Sequence, residues 1–474
     1  MNLTDTINAA FTPVSDAVNA IIFYSVDVFG VSLPLVLVWL VTGAIIFTVY
    51  FRFVNLRGFG HAVSLLRRNS SIDGADKVEG EVSRFQALSS ALSGTVGLGN
   101  IASVPIAICL GGPGAVFWMV LAGFFGMSSK FAECALAVKY RRIDNDGRVL
   151  GGPMYYIQAA FEQRGAHTAG RIAAVFFAIT TIGASFSFFQ VNQSQAQFAA
   201  VTGLNAPLTY GIVFCSFIAI VLFGGIRSIG RVTGVLVPAM AGVYLSAAFI
   251  IIGMNADALP GAFAAIINGA FGFEAAGGGL IGALINGVQR ATYSSEAGVG
   301  SAAIAHAAVR TNEPVSEGYV ALLEPFIDTV IVCVATALVI LVTGVHEPFL
   351  YAPRSEIVGI GLTSAAFADT FPWYPMVLLL SVVLFAFSTV LAWAYYGAQA
   401  VAYLTGGDRR ADIAFKLMLS AILSLGAALS IGAILDFIDA MLFAMCVPNM
   451  IALYLLLPEL KRDIATYDAR AGLS

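Results

Sequence analysis

Apolar runs of roughly 17 to 25 residues recur along the chain, separated by short polar stretches, and runs of that length wound as helices match the hydrocarbon thickness of a bilayer. They predict about eleven membrane spans, centred on 31–52, 85–110, 113–139, 171–200, 208–224, 232–253, 271–289, 318–345, 373–404, 413–432 and 437–457. Two of these spans hold residues that a helix in lipid should avoid. The first carries Ser93-Gly94-Thr95-Val96-Gly97-Leu98-Gly99-Asn100 near its middle. An unpaired backbone group in hydrocarbon costs several kcal/mol, so an unwound stretch there survives only where it lines a cavity and offers free N–H and C=O groups to a ligand. The second, Phe271-Gly272-Phe273-Glu274-Ala275-Ala276-Gly277-Gly278-Gly279, opens the 271–289 span. Close helix packing through small residues explains either cluster alone. Two clusters five spans apart instead predict an inverted repeat, residues 85–270 and 271–457, around a midplane substrate site. Residues 1–84 then form an accessory helix and loop, and 458–474 a tail.

Composition narrows the class. With 59% hydrophobic and 11% charged residues over 474 positions, the chain lacks the polar surface of soluble domains and reads as an all-α polytopic membrane protein. This also disposes of Gly97-Leu98-Gly99-Asn100-Ile101-Ala102 as a dinucleotide fingerprint, which needs a strand before it and a βαβ unit around it. Five cysteines lie singly in separate apolar runs, as packing residues would. No Lys or Arg occurs in the first thirty positions, so the basic region of a cleaved leader is missing and the N-terminus is expected to be retained and to face outward. That orientation puts all of the 24 basic residues except Arg354 on cytoplasmic segments or the helix ends beside them, with the C-terminus cytoplasmic. Residues 56–84 and 140–170 become the main cytoplasmic connectors, and Met154 to Phe161 a short amphipathic helix on the membrane surface. Segments 254–270 and 346–372 are either outer connectors or lids.

Several blocks carry a family resemblance. Ser93 to Asn100, Gly111-Gly112-Pro113-Gly114-Ala115-Val116-Phe117-Trp118-Met119, Lys130-Phe131-Ala132-Glu133, Gly151-Gly152-Pro153-Met154-Tyr155-Tyr156, Arg290-Ala291-Thr292-Tyr293-Ser294-Ser295-Glu296-Ala297-Gly298 and Leu323-Glu324-Pro325-Phe326-Ile327-Asp328-Thr329 resemble the alanine or glycine:cation symporters. The resemblance implies a leucine-transporter-like fold of five plus five inverted helices, and Na+-driven uptake of small amino acids into a prokaryotic cell across its inner membrane. No cofactor is implied beyond the coupling ion, and the oligomeric state stays open.

An amino acid zwitterion needs donors for its carboxylate and acceptors for its ammonium. The N–H groups of Gly97, Leu98 and Gly99 and the Thr95 hydroxyl can supply donors, and Gln190, in the polar patch Ser185 to Gln193, can serve either pole. An interhelical hydrogen bond is the equal rival for Gln190. Trp393 or Phe273 would close the walls around a small side chain, although span aromatics commonly face lipid. Sodium prefers hard oxygens, which the chain offers without a buried carboxylate. The resemblance places one ion on the carbonyls of Ser93 and Val96 with the hydroxyls of Ser388 and Thr389, and a second on the Thr95 carbonyl and Asn100 side chain. Hydroxyls such as Ser388 and Thr389 also commonly bond to their own helix.

Buried carboxylates keep a proton-coupled symporter as the alternative, since Glu133, Glu274, Glu324 and Asp328 fall in or beside spans, with Glu324 and Asp328 on one helix face. Ser294-Ser295-Glu296 is expected at the cytoplasmic end, as a gate contact with Arg290 or an ordinary cap. A passive channel should show rings of like residues or a continuous polar pore, which are lacking. Scattered histidines and the lack of hydrolase motifs argue against an enzyme.

Overall fold

A computed structural model describes residues 3–28, 31–67, 79–144, 147–272, 279–351 and 359–473. The expected first helix is present as α2 (Leu35–Tyr50), but it is preceded by α1 (Leu3–Ile22) and a hairpin of β1 (Ser25–Val28) with β2 (Val31–Pro34). The first half of the bundle continues with α3 (Arg84–Thr95), α4 (Leu98–Gly111), α5 (Ala115–Lys139), α6 (Pro153–Glu162), α7 (His167–Ser185), α8 (Phe188–Thr202), α9 (Pro207–Leu222) and α10 (Gly225–Met254). After α11 (Leu259–Phe271), the second half holds α12 (Gly279–Ser295), α13 (Ser301–His306), α14 (Pro314–Thr343), α15 (Ile360–Thr370), α16 (Tyr374–Thr405), α17 (Arg409–Leu423) and α18 (Ile431–Ala471).

Among the described residues, seven helices are long and apolar enough to cross a membrane, or eight if the bent pair α3 and α4 is one span. The helices α2, α9 and the 256–271 segment are shorter and apolar. Segment 254–270, read as a connector or lid, is thus helical. The expected surface helix, α6, is mostly buried instead, with Met154, Tyr156 and Ile157 fully inside, because it packs against α7 and α18.

Starts and stops follow local chemistry. Ser83 and Gln86 form a reciprocal capping box that opens α3. A further interruption lies at a place that the sequence did not predict. Residues 273–278, including Phe273 and Glu274, are outside the described residues, whereas the described span breaks at 296–300, between α12 and α13. There Glu296, Gly298 and Gly300 take φ of 54°, 86° and 90°, backbone that ends a helix. A third break separates α7 from α8 at Ser187, where φ is 42°.

The end of the bundle bearing the Lys- and Arg-rich connectors, here the basic face, is sealed by backbone pairing. Val82 bridges Val309, Glu81 N–H donates to Ala308 O at 2.8 Å, and Arg310 N–H to Val82 O at 2.8 Å. The Arg141 guanidinium clasps this pairing by donating to the carbonyls of Ala307 (2.9 Å), Val309 (2.6 Å), Glu79 (2.9 Å) and Thr311 (2.8 Å). The segments that lead into α3 and out of α13 are thereby tied together. Replacing Arg141 with Ala removes four charge-assisted hydrogen bonds, each worth about 1.5–3 kcal/mol in the closed form. Hydrogen exchange should therefore accelerate in peptides covering 79–82 and 307–311 while the rest of the bundle is unchanged; unaltered exchange there would remove the clasp from the description.

Candidate functional site

The first break is built by diverting two backbone donors. The axis bends by 46° between α3 and α4. Gly97 N–H donates to Asn100 Oδ1 (2.9 Å) and Leu98 N–H to Gln190 Oε1 (3.2 Å). Neither therefore serves the carbonyl four residues back, and those of Ser93 and Gly94 lose their helical donors. Val96 is extended, with ψ of 91°. On the other side stands α16. A methyl group on Gly97 would lie 2.3 Å from Thr389 Oγ1, and that hydroxyl is buried without a hydrogen-bond partner. Ser388 differs, since its hydroxyl donates to Phe385 O of its own helix (3.0 Å) while its carbonyl accepts from Ser93 Oγ (3.0 Å). Ser93 and Gly97 thus meet Ser388 and Thr389 of α16, with the Thr389 hydroxyl turned toward the break, in which Val96 lies.

Asn100 joins the two broken spans. Its Nδ2 faces Asp328 Oδ1 at 2.6 Å and Ser294 Oγ at 3.0 Å, and Ser294 Oγ donates to Asp328 Oδ2 at 2.7 Å. Thr329 Oγ1 donates to the same carboxylate oxygen at 2.9 Å. Over Phe326–Cys333, α14 widens to π-helical geometry, a distortion that recurs at functional sites. All four side chains are buried. A carboxylate therefore stands in the oxygen cluster that the sequence reading built from Asn100 and a carbonyl alone. The same geometry corrects Ser294, which lies against Gly99 and Asn100 in the bundle interior and not at the cytoplasmic end.

Between the breaks lies a small cavity of about 20 Å³. Thr95, Gly99, Gln190 and Trp393 line it, and so do Gly94, Ser187, Tyr293 and Glu296. Gly97 and Leu98 are buried behind this wall at the break itself. Two of the three predicted amide donors already have partners, and the Thr95 hydroxyl makes only long contacts, 3.4 Å, to the carbonyls of Ala91 and Leu92. Gln190 combines the two rival readings by lining the cavity and accepting from Leu98. Trp393 is buried, not lipid-facing, and its Nε1 donates to Glu296 Oε1 at 3.0 Å. Ser301 donates to the other oxygen of Glu296.

Away from the basic face, Arg290 stands behind the cavity wall. Its guanidinium lies 5.5 Å over the Tyr293 ring and donates to Asp439 of α18, which also accepts from Gln289 Nε2 at 2.9 Å. Tyr293 in turn packs edge-to-face on Phe189 at 5.5 Å. Arg290 was assigned to a cytoplasmic helix end; the structure buries it near Ile106, Leu110 and Ile431, in the opposite half. The span continues past it to the 296–300 break, which is why the charge rule misplaced it. Tyr293 and Glu296 were missed as cavity residues, and the signal available for them was Gly298 and Gly300 just after an apolar run.

The sodium:alanine symporter family matches residues 16–472. The sodium/alanine symporter AgcS of Methanococcus maripaludis is 39% identical over 429 residues, 89% of this chain and 92% of that protein. A putative sodium/proton-dependent alanine carrier protein of Bacillus subtilis, YrbD, is 34% identical and covers 86% of this chain and 84% of its own length. Among solved structures, MhsT in complex with L-phenylalanine superposes with a TM-score of 0.58 at 15% identity, over 80% of this chain and 90% of that one. The likeness to MhsT establishes a leucine-transporter-like fold for the two broken spans and the helices that cradle them, and by the extent of the sequence match the chain belongs to the sodium:alanine symporter family.

Proposed function

We propose that the cavity binds a small neutral amino acid, alanine or glycine, and that the chain carries it inward across the inner membrane of a prokaryote together with Na+, by alternating access. The observation that carries this reading is the pair of oxygen-rich sites at the breaks: Asp328, Asn100 and Ser294 on one side, and on the other the unpartnered Thr389 hydroxyl against Gly97, whose diverted amide frees the Ser93 carbonyl. Sodium is a hard cation that takes several such oxygens. The Asp328 carboxylate supplies charge to the site joined by the Thr95 carbonyl and Asn100. Thr389 with Ser93, Val96 and Ser388 supplies the other.

The substrate poles have matching groups. Glu296, placed at a cavity wall between Trp393 and Ser301, offers negative charge to the ammonium. The carboxylate meets the Thr95 hydroxyl and the amides of Gly97, Leu98 and Gly99, with Gln190 and Asn100 yielding the two they now hold. Trp393 and Tyr293 leave room for hydrogen or methyl on Cα. The Arg290–Asp439 closure opens to admit substrate, and the clasp at the basic face opens to release it. Halves 85–270 and 271–457 act as the inverted repeats, with the N-terminus outside and the basic connectors and C-terminus in the cytoplasm. No cofactor is needed.

A proton could replace sodium at a buried carboxylate, and Asp328 is one. Purified protein in liposomes separates the readings. Labelled alanine should accumulate with an inward Na+ gradient and not with a pH gradient in sodium-free buffer; full uptake without sodium would favour the proton. Thr389→Val should raise the half-saturating Na+ concentration about tenfold, equivalent to about 1.4 kcal/mol of lost ion binding, with little change in alanine affinity at saturating sodium. Thr95→Val should weaken alanine binding by a similar factor. Asp328→Asn should abolish sodium-stimulated alanine binding, measured calorimetrically, and retention of that stimulation would remove Asp328 from the ion site.

A further inference from the structure

The mechanism above leaves one cluster of buried ionisable groups unused. His306, the last residue of α13, points its two ring nitrogens at two carboxylates of α14, Nδ1 at Glu317 and Nε2 at Glu324. Lys130 of α5 lies 3.2 Å from the second oxygen of Glu324, and Arg84 of α3 lies 3.9 Å from Glu317. Glu133 and Cys134 of α5, Glu296, Tyr396 of α16, and Arg141 also face the cluster. Lys130, His306, Glu317 and Glu324 are each 0% exposed, so water does not arbitrate their protonation in this state.

Hydrogen-bond accounting then fixes a proton count. Ionised carboxylates only accept, and a neutral imidazole has one donor and one acceptor nitrogen. Two carboxylates facing both nitrogens leave one contact acceptor-to-acceptor, repulsive and buried, unless an additional proton is present. That proton sits on the ring, as imidazolium, or on one carboxylate; the count is the same. The cluster also lies immediately beside the basic-face seal, since Ala307 and Val309, held by Arg141, directly follow His306.

We propose that His306, Glu317 and Glu324 form a proton-binding site that closes with the basic-face gate. One proton is held between the imidazole and the carboxylates while α13 is docked on α14. It passes to entering water, leaving neutral imidazole, when α13 swings away. The site rests on the alternating-access reading above, and its sign is defined: a proton bound only in the closed form favours closure at low pH, and opening toward the basic face gains as pH rises. Lys130 and Arg84 remain with their carboxylates in both forms.

The test reads gate opening directly in full-length protein in membranes, without substrate. Ala308 is buried beside the seal, and an Ala308→Cys variant reacts with a soluble maleimide only when the gate opens. The rate is divided by that of Thr168→Cys at an exposed position, which cancels thiol chemistry; the buried native cysteines set the blank. The ratio should rise about tenfold between roughly pH 6 and pH 8.5. In a Glu317→Gln background the amide can donate to Nδ1, a neutral ring satisfies both contacts, and the ratio should stay flat. If that variant does not accumulate, His306→Gln serves as the non-titrating background. A flat ratio in the native background, the same rise in the non-titrating one, or no labelling at any pH would each overturn the proposal. Sodium-driven alanine uptake on the same vesicles distinguishes failure of this site from failure of the transport reading.

Discussion

A peptide N–H or C=O released from its helix inside a bilayer has no water to turn to, and that constraint organises the whole interior of this protein. Gly97 N–H is taken by Asn100 Oδ1, which leaves Asn100 Nδ2 as a buried donor that must also be paired. Asp328 and Ser294 pair it. One diverted amide in α3–α4 is thus the reason a carboxylate on α14 and a hydroxyl on α12 converge on the same point. Leu98 and Gln190 repeat the logic toward α8. Each side chain that repairs the break is also one that a zwitterion or a cation could recruit, so structural repair and ligand recognition draw on the same atoms.

Closure at the two ends uses different chemistry. Away from the basic face it rests on Arg290 with Asp439, a buried pair whose desolvation offsets much of its attraction. Such a contact is a poor source of stability but a sharp one: separated and hydrated, both ions lose little, which suits a barrier that must open repeatedly. At the basic face the barrier is a short backbone pairing held by Arg141, whose guanidinium meets four carbonyls at once. That seal spreads its hold over several hydrogen bonds and not one ion pair.

Much of this was legible in the chain. Three glycines in mid-span announced the first break because lipid penalises irregular backbone so heavily that such a cluster needs a reason. The break at 296–300 escaped notice for a physical cause. A glycine-dense segment at 271–279 is the louder compositional signal, yet the described interruption at 296–300 is opened by Glu296, a non-glycine residue in left-handed backbone. Its neighbours, not its own propensity, hold it there: Ser301 and Trp393 bind its carboxylate. Arg290 was misread for a related reason, since charge bias assumes that a basic residue beside an apolar run seeks water. Its partner Asp439 is distant in sequence, and no local pattern connects them. Cavity residues near the first break were recoverable, whereas for Tyr293 and Glu296 the local signal was the pair Gly298 and Gly300, and the crossing that turns them to the cavity is tertiary.

The short helix α15 has a mechanical consequence. Its Thr363 hydroxyl donates to Ile101 O of α4, and its Ile360 N–H donates to Gln193 Oε1 of α8. One bond grips a broken span and the other a neighbouring unbroken stretch, so any relative travel of those two must strain or sever a tether. Holding α15 still would therefore brake turnover without occupying the pocket itself.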